Sequence, residues 1–283
     1  METPGFRGFW RRFARNKGAV IGLFLLLATI AMAVLGPILL PESPWEMAGR
    51  PFLPPFGAEF PLGTDTLGRD ILAGIVHGAR VSLAIGVIAT VVAVALGVVV
   101  GAGAGFFGGW IDDLLMRFTE FFQTIPSFVF AVLLVAIFTP SIASIVVAIA
   151  VVSWPPVARL VRGEFLSLRT REFVQASVVQ GQSDLHIIFV QILPNALSPI
   201  IVAASLMVAT AILTESALSF LGLGDPNLMS WGYMIGAART VIRTAWWMSF
   251  FPGLAIVLTV LALNLVGEGL SDALNPRLAR GGR

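Results

Sequence analysis

The chain of 283 residues contains no cysteine, one lysine, two histidines and one tyrosine, and only 12% of its side chains are charged. Each shortage excludes something. Without cysteine there is no disulfide framework and no thiolate metal site. His77 and His186 lie more than 100 residues apart, so neither H-E-x-x-H nor any other metal-ligand spacing exists. The one lysine, Lys17, follows no glycine-rich loop, so G-x-x-x-x-G-K-[ST] cannot be written and the chain carries no P-loop ATPase of its own. No G-x-S-x-G elbow is present either. The charged fraction is half of the roughly 25% usual in soluble domains. That fraction argues against disorder and against a nucleic-acid-binding domain.

What the chain has instead is apolar length. Hydrophobic residues make up 57% and the mean hydropathy is +0.90, the composition of an integral membrane protein. A bilayer core about 30 Å thick needs roughly 20 helical residues. Charge-free stretches of that order are Gly18–Leu40, Val81–Ile111, Phe121–Ala158, Ile187–Thr214 and Thr244–Gly267. The third would make a single helix of about 57 Å, too long for a membrane. Thr139-Pro140-Ser141 interrupts it, so it reads as a hairpin of two spans. The expectation is an all-α protein with six transmembrane helices at about 19–40, 82–106, 119–138, 142–158, 190–214 and 246–268. A cytoplasmic segment (1–18) precedes the transmembrane domain (19–283), with an outside loop at 41–81 and an inside loop at 159–186. The first span is too long for a signal-peptide core, and no A-x-A-like cleavage site follows, so it reads as a retained helix.

Orientation follows from the distribution of basic residues. Six spans put Arg7, Arg11, Arg12, Arg15, Lys17, Arg117, Arg159, Arg162, Arg169, Arg171, Arg277, Arg280 and Arg283 on one side. Arg50, Arg69, Arg80, Arg239 and Arg243 fall on the other. A split of 13 against 5 places both termini in the cytoplasm. The inside loop then holds a helical pattern in which Phe173, Ala176 and Val179 or Gln180 share a face. Gly181 is a natural stop, and Ser183 or Asp184 an N-cap for the fifth span.

Few polar residues sit where they cost energy. Glu215, near the outer end of span five, has two readings. It lines a translocation path or pairs across a subunit interface, or the span ends at Thr214 and Glu215 lies at the membrane surface beside Ser216 and Ser219. The glycine-rich run Gly97–Gly109 suits close helix packing and a pore lining equally.

The inside loop resembles the cytoplasmic signature of ABC-importer permeases, in which E-A-A-x-x-x-G is followed by nine residues and I-x-L-P. Gln175-Ala176-Ser177 stands for the triplet, Gly181 matches, Gln191 replaces the isoleucine, and Leu193-Pro194 closes the motif. Other segments resemble, in order, the C-type permeases of dipeptide, oligopeptide and nickel importers. They are FARNKGAVIG (13–22), PLGTDTLGRD (61–70), GARVSL (78–83), GFFGGWIDDLLMR (105–117), LTESALSFLGLG (213–224), SWGYM (230–234) and the stretch from Ala245 to Leu278.

The resemblance implies a type I ABC importer permease fold and no enzymatic activity in this chain. It implies a second homologous permease, two ATP-binding subunits that hold ATP and Mg, and an extracytoplasmic binding protein that delivers peptides. Nickel complexes or another small solute are the alternative cargo, and no nucleic acid is involved. It implies a bacterial or archaeal plasma (inner) membrane. It assigns ATPase coupling to Glu172, Gln175, Ala176, Ser177 and Gly181, with Glu172 able to supply the charge that Gln175 lacks. Asp65, Arg69 and Asp70 in the outside loop pair among themselves as a turn or contact the binding protein or partner permease. A secondary transporter is the rival class, but it calls for inverted repeats or intramembrane acids that this chain hardly offers.

Overall fold

The computed structural model describes residues 6–274. Arg277, Arg280, Arg283 and the side chain of Arg7, used above for orientation, lie outside what is described. Eleven helices follow in order: α1 (Phe6–Phe13), α2 (Lys17–Leu39), α3 (Ile71–Phe107), α4 (Gly109–Phe122), α5 (Ser127–Ile137), α6 (Ile142–Arg169), α7 (Glu172–Val179), α8 (Asp184–His186), α9 (Leu193–Leu218), α10 (Trp231–Ala238) and α11 (Trp247–Leu274). A π-helical stretch, Ile187–Ile192, fuses α8 to α9, and a second, Ser219–Leu223, prolongs α9 outward. Five helices or fused helices are long and apolar enough to cross a membrane. α4 and α5, bent by 75° at a short break, have together the length and apolarity of a sixth. Among the described residues the only β pairing is an isolated bridge between Thr64 and Asp70.

Several features differ from the sequence expectation, among them a fifth span that runs over Asp184–Leu223 and a sixth that continues to Leu274. The second span begins at Ile71 rather than near residue 82, because Asp70 caps its first turn by accepting from the Leu72 and Ala73 N–H groups at 2.9 and 3.3 Å. The third span is broken at Gln123–Pro126, where proline removes a donor and disfavours helix in the residue before it. The fourth does not stop at 158. α6 runs through Pro155 and Pro156 to Arg169, packed along α3. Finally, the outer segment after residue 223 contains a helix, α10, whose N-cap Ser230 accepts from the Tyr233 N–H at 3.0 Å.

The core lies between α3 and α6, the most extensive helix contact in the chain. Gly97, Gly101 and Gly105, four residues apart, form one small-residue stripe along α3. A Cβ at these positions would lie 2.5 Å from Val157, 2.3 Å from the Ala158 carbonyl and 2.6 Å from Phe165 respectively. Of the two readings of the glycine run, this stripe is the packing one. α2 lies against α11 at the periphery. The Asn16 side chain caps α2 at Ala19 and donates to Asp272 at 3.0 Å, tying the two ends together.

Candidate functional site

Three polar regions identified in the sequence take definite shape, beginning with the loop between α6 and α9. α7 stands alone between α6 and the π-helical stretch, and its C-terminus closes as a Schellman motif. The Gly181 N–H donates to Val178 O at 2.9 Å and the Gln182 N–H to Ser177 O at 3.2 Å. That geometry requires a positive φ, which Gly181 supplies at +73°. Val174 is buried with Phe165, Ile187, Ile188 and Ile192 in one cluster. Ser177 is buried beside it, its hydroxyl donating to Phe173 O. Glu172, Gln175 and Ala176 are exposed. The apolar face expected from Phe173, Ala176 and Val179 therefore points outward. Val174 and Ser177 face the protein because the chain enters α7 from α6 and leaves it toward Ile187, which fixes the inner side.

Polar contacts join this element to the helices behind it. Gln175 Nε2 donates to Arg169 O at 3.0 Å, and Arg169 Nη1 donates to Phe106 O at the end of α3 at 2.8 Å. Two turns further in, Arg162 grips Asp112 of α4 through Nε and Nη2, the latter at 2.6 Å. The sequence reading missed this pair. A signal existed, since both charges belong in principle to exposed loops, yet Arg162 falls in register with the apolar positions of a continuing helix.

The outside loop is tied down by its own chain. Asp65 Oδ1 accepts from the Leu67 and Arg69 N–H groups at 2.8 and 2.9 Å. The Arg69 guanidinium lies 4.7 Å over the Trp45 ring, and Asp65 Oδ2 is 4.0 Å from its Nε. Burial raises the pKa of Asp70, against the lowering effect of the two N–H groups it caps. Thr64 is fully buried. Its hydroxyl donates to Arg50 O, and its carbonyl accepts from Trp247 Nε1 at 3.1 Å. The PLGTDTLGRD segment is thereby clamped onto the outer end of α11.

Glu215 is 1% exposed, inside a helix that continues past it. Its Oε1 accepts from the Ser219 and Ser230 hydroxyls at 2.9 and 2.8 Å, and Ser216 Oγ lies 3.4 Å from Oε2. Ser230 is the N-cap of α10 and Gly232 its second residue. A Cβ on Gly232 would sit 2.8 Å from both Glu215 oxygens. Trp231 between them is fully buried, with Nε1 donating to Ile75 O and its N–H to Ser82 Oγ at 2.9 and 3.0 Å. Glu215 thus pins α10 onto α9 and α3. Glu215→Leu strands two buried hydroxyls, at about 1–3 kcal/mol each. Its complex is expected to lose thermal stability in detergent, measured by heating followed by size-exclusion chromatography. Glu215→Gln, which keeps one carbonyl acceptor, is expected to lose clearly less. Equal losses would show that only side-chain volume matters there.

With this geometry in place, the comparisons with known proteins are direct. A family model described as "Binding-protein-dependent transport system inner membrane component" matches residues 94–280. Another, the "N-terminal TM domain of oligopeptide transport permease C", matches residues 5–55. The di/tripeptide transport system permease protein DppC of Pseudomonas aeruginosa is 44% identical over 278 residues, covering 95% of this chain and 91% of that one. The dipeptide transport system permease protein DppC of Alkalihalophilus pseudofirmus is 42% identical, over 96% of this chain and 90% of that one. The glutathione transport system permease protein GsiD of Pectobacterium atrosepticum is 41% identical, over 98% and 93%. Among solved structures, an inward-facing conformation of the MetNI methionine ABC transporter superposes with a TM-score of 0.59 at 17% identity, covering 71% of this chain and 96% of that one. At that identity the likeness is one of fold. Family model, relatives and fold agree: the chain belongs to the binding-protein-dependent transport system inner membrane components, the permease family of ABC importers.

Proposed function

We propose that this chain forms one half of the translocation path of an ATP-driven importer of short peptides in a bacterial inner membrane. A second, homologous permease completes the path, and two separate ATP-binding subunits hold ATP and Mg. An extracytoplasmic binding protein delivers the peptide to the outer face, where the loop carrying Asp65, Arg69 and Asp70 is held rigid. The peptide cargo is supported by relatives named for dipeptides, di- and tripeptides and glutathione.

The observation that carries the mechanical part is α7. It is a short helix with an exposed outer face, set rigidly between two spans by a buried inner face and a Schellman stop. Motion of a soluble partner docked against Glu172, Gln175 and Ala176 passes to α6 through Arg169. It passes to α9 through the continuous π-helical joint, with Gly181 fixing the exit angle. Importers of this kind work by switching a bistable path between two openings.

The test is purification of the tagged chain in mild detergent from cells that also express its neighbouring operon genes, followed by uptake in vesicles. Recovery of a second six-span permease and two ATPase-sized chains, with ATP-dependent dipeptide uptake, is the expected result. A stable homo-oligomer whose uptake follows an ion gradient and ignores ATP would sink the proposal.

A further inference from the structure

The break in the third span opens onto a hollow of about 430 Å³, bounded by the α4–α5 break, α6 and α9. That size lies within the roughly 300–1,000 Å³ typical of small-molecule sites. Its depth can be read from three helices independently. Ser127 is ten residues from the outer end of α5, Ser153 eleven from that of α6, and Thr210 thirteen from Leu223. At 1.5 Å per residue these are depths of about 15, 16 and 20 Å, the middle of a core about 30 Å thick.

The lining is polar at a depth where polarity is costly. Gln123, Ser127, Ser153, Thr210 and Thr214 all face the hollow. Among the described residues, the Gln123 carboxamide and the Ser127 and Ser153 hydroxyls have no hydrogen-bonding partner within the chain, and none of the three is buried. Pro156, also on the wall, has no N–H to give the Val152 carbonyl, and Val152 is on the wall too. In lipid each unpaired group of this kind costs several kcal/mol, so irregular backbone at membrane depth is tolerated only where it is covered by protein or lines a wet cavity. The lining contains no Asp, Glu, Lys, Arg or His.

We infer that this hollow is the section of path wall against which the solute passes, and that it is a neutral cup holding the amide groups of a short peptide by hydrogen bonds. Gln123 offers both a donor and an acceptor, Ser127 and Ser153 offer either, and Thr210 and Thr214, whose hydroxyls donate to Leu206 O and Thr210 O, offer acceptors, which matches the alternating N–H and C=O groups of a peptide backbone. Without a fixed charge, the cup does not discriminate the charge of the peptide's side chains. The inference rests on the importer reading above and deepens it.

The absence of native cysteine makes the test clean. Ser153→Cys and Thr210→Cys are compared with Val147→Cys and Leu213→Cys, at exposed positions on the same helices outside the hollow. Each is placed in the whole complex in membrane vesicles and exposed to a charged, membrane-impermeant thiol reagent. The two cup cysteines are expected to react at least about tenfold faster than the controls, because a thiol in apolar surroundings stays protonated and inert. Labelling is expected to slow in the presence of whichever of dialanine, trialanine and glutathione the unmodified complex takes up. Gln123→Leu provides a second readout: a raised KM for that peptide at a similar kcat, with an unchanged KM counting against the inference.

Cup cysteines as inert as the controls would mean that lipid or the partner permease fills the hollow, and would overturn the inference. Rapid labelling indifferent to peptide would overturn it as well. Failure of the importer reading is distinguishable, since the unmodified complex would then show no ATP-dependent uptake at all.

Discussion

Replacing Val178 and Val179 together by aspartate is expected to abolish ATP-driven uptake while leaving the permease folded and in the membrane. Both valines lie on the outer face of α7, at 52% and 87% exposure, while Val174 and Ser177 face the protein. The substitution therefore removes nothing from the core of this chain. An exposed valine at 87% on a short helix outside the spans is readily explained by burial in a partner. Each valine so buried contributes roughly 1.5 kcal/mol, and an unpaired carboxylate in its place adds a desolvation cost of several kcal/mol. At 1.4 kcal/mol per factor of ten, docking is expected to weaken by about a hundredfold or more. The check is recovery of the ATP-binding subunits with the tagged permease, beside uptake in vesicles. Intact uptake would mean that α7 does not dock through this face. Val178→Ala with Val179→Ala, which loses the burial without adding charge, is expected to give a partial defect.

Gly101→Ile is expected to prevent stable folding. A Cβ there would lie 2.3 Å from the Ala158 carbonyl and 2.8 Å from Val161 Cβ, and both residues are fully buried. Neither obstacle is the movable end of a flexible side chain, so α3 and α6 have to separate. Overpacking of that kind costs about 3 kcal/mol or more. Because α6 leads directly into α7 and α3 carries the Arg169 contact at Phe106, the loss reaches the cytoplasmic element as well. Gly163→Ala, on α6 where an added Cβ meets nothing within 4 Å, is the contrast. It is expected to be neutral or to stabilise by up to about 1 kcal/mol through helix propensity. The measurement is the amount of each variant in the membrane and its thermal midpoint after extraction. Gly101→Ile behaving like Gly163→Ala would refute close packing as the reason for glycine at 101.

The pattern of agreement and error between chain and structure has a physical logic. The turn between the third and fourth spans was legible at Thr139–Ser141, because proline next to small polar residues interrupts any helix there. The bend at Gln123–Pro126 was not, since a search for missing charge passes over glutamine, threonine and serine, although these uncharged polar residues are what line a wet hollow. The charge-free stretch ended at Ala158, before Arg159, and the fourth span was bounded there. α6 continues through Pro155 and Pro156 to Arg169 while packed on the glycine stripe of α3, a tertiary contact that overrides local preference. In α7 the helical period and the glycine stop were both readable. Which face turned inward was not, since periodicity gives a face but not its partner.

Burial shows the same division. Glu215 left two readings open in the sequence, because the residue that satisfies it, Ser230, is fifteen positions away across a turn. Asp112 and Arg162, fifty apart, were invisible as a pair. The amino-acid sequence by itself determined that the chain is rich in membrane-length apolar helices and to which permeases it is akin. Those properties depend on apolar run length, charge count and short motifs, all local along the chain. The tertiary structure alone decided which polar group meets which. It closed Glu215 off with three serines, joined α4 to α6 by an ion pair, and left Gln123 and Ser153 open to a hollow beside the α4–α5 break. In a medium of low dielectric a polar group is tolerated according to what lies beside it, and that neighbour is set by packing rather than by position in the chain.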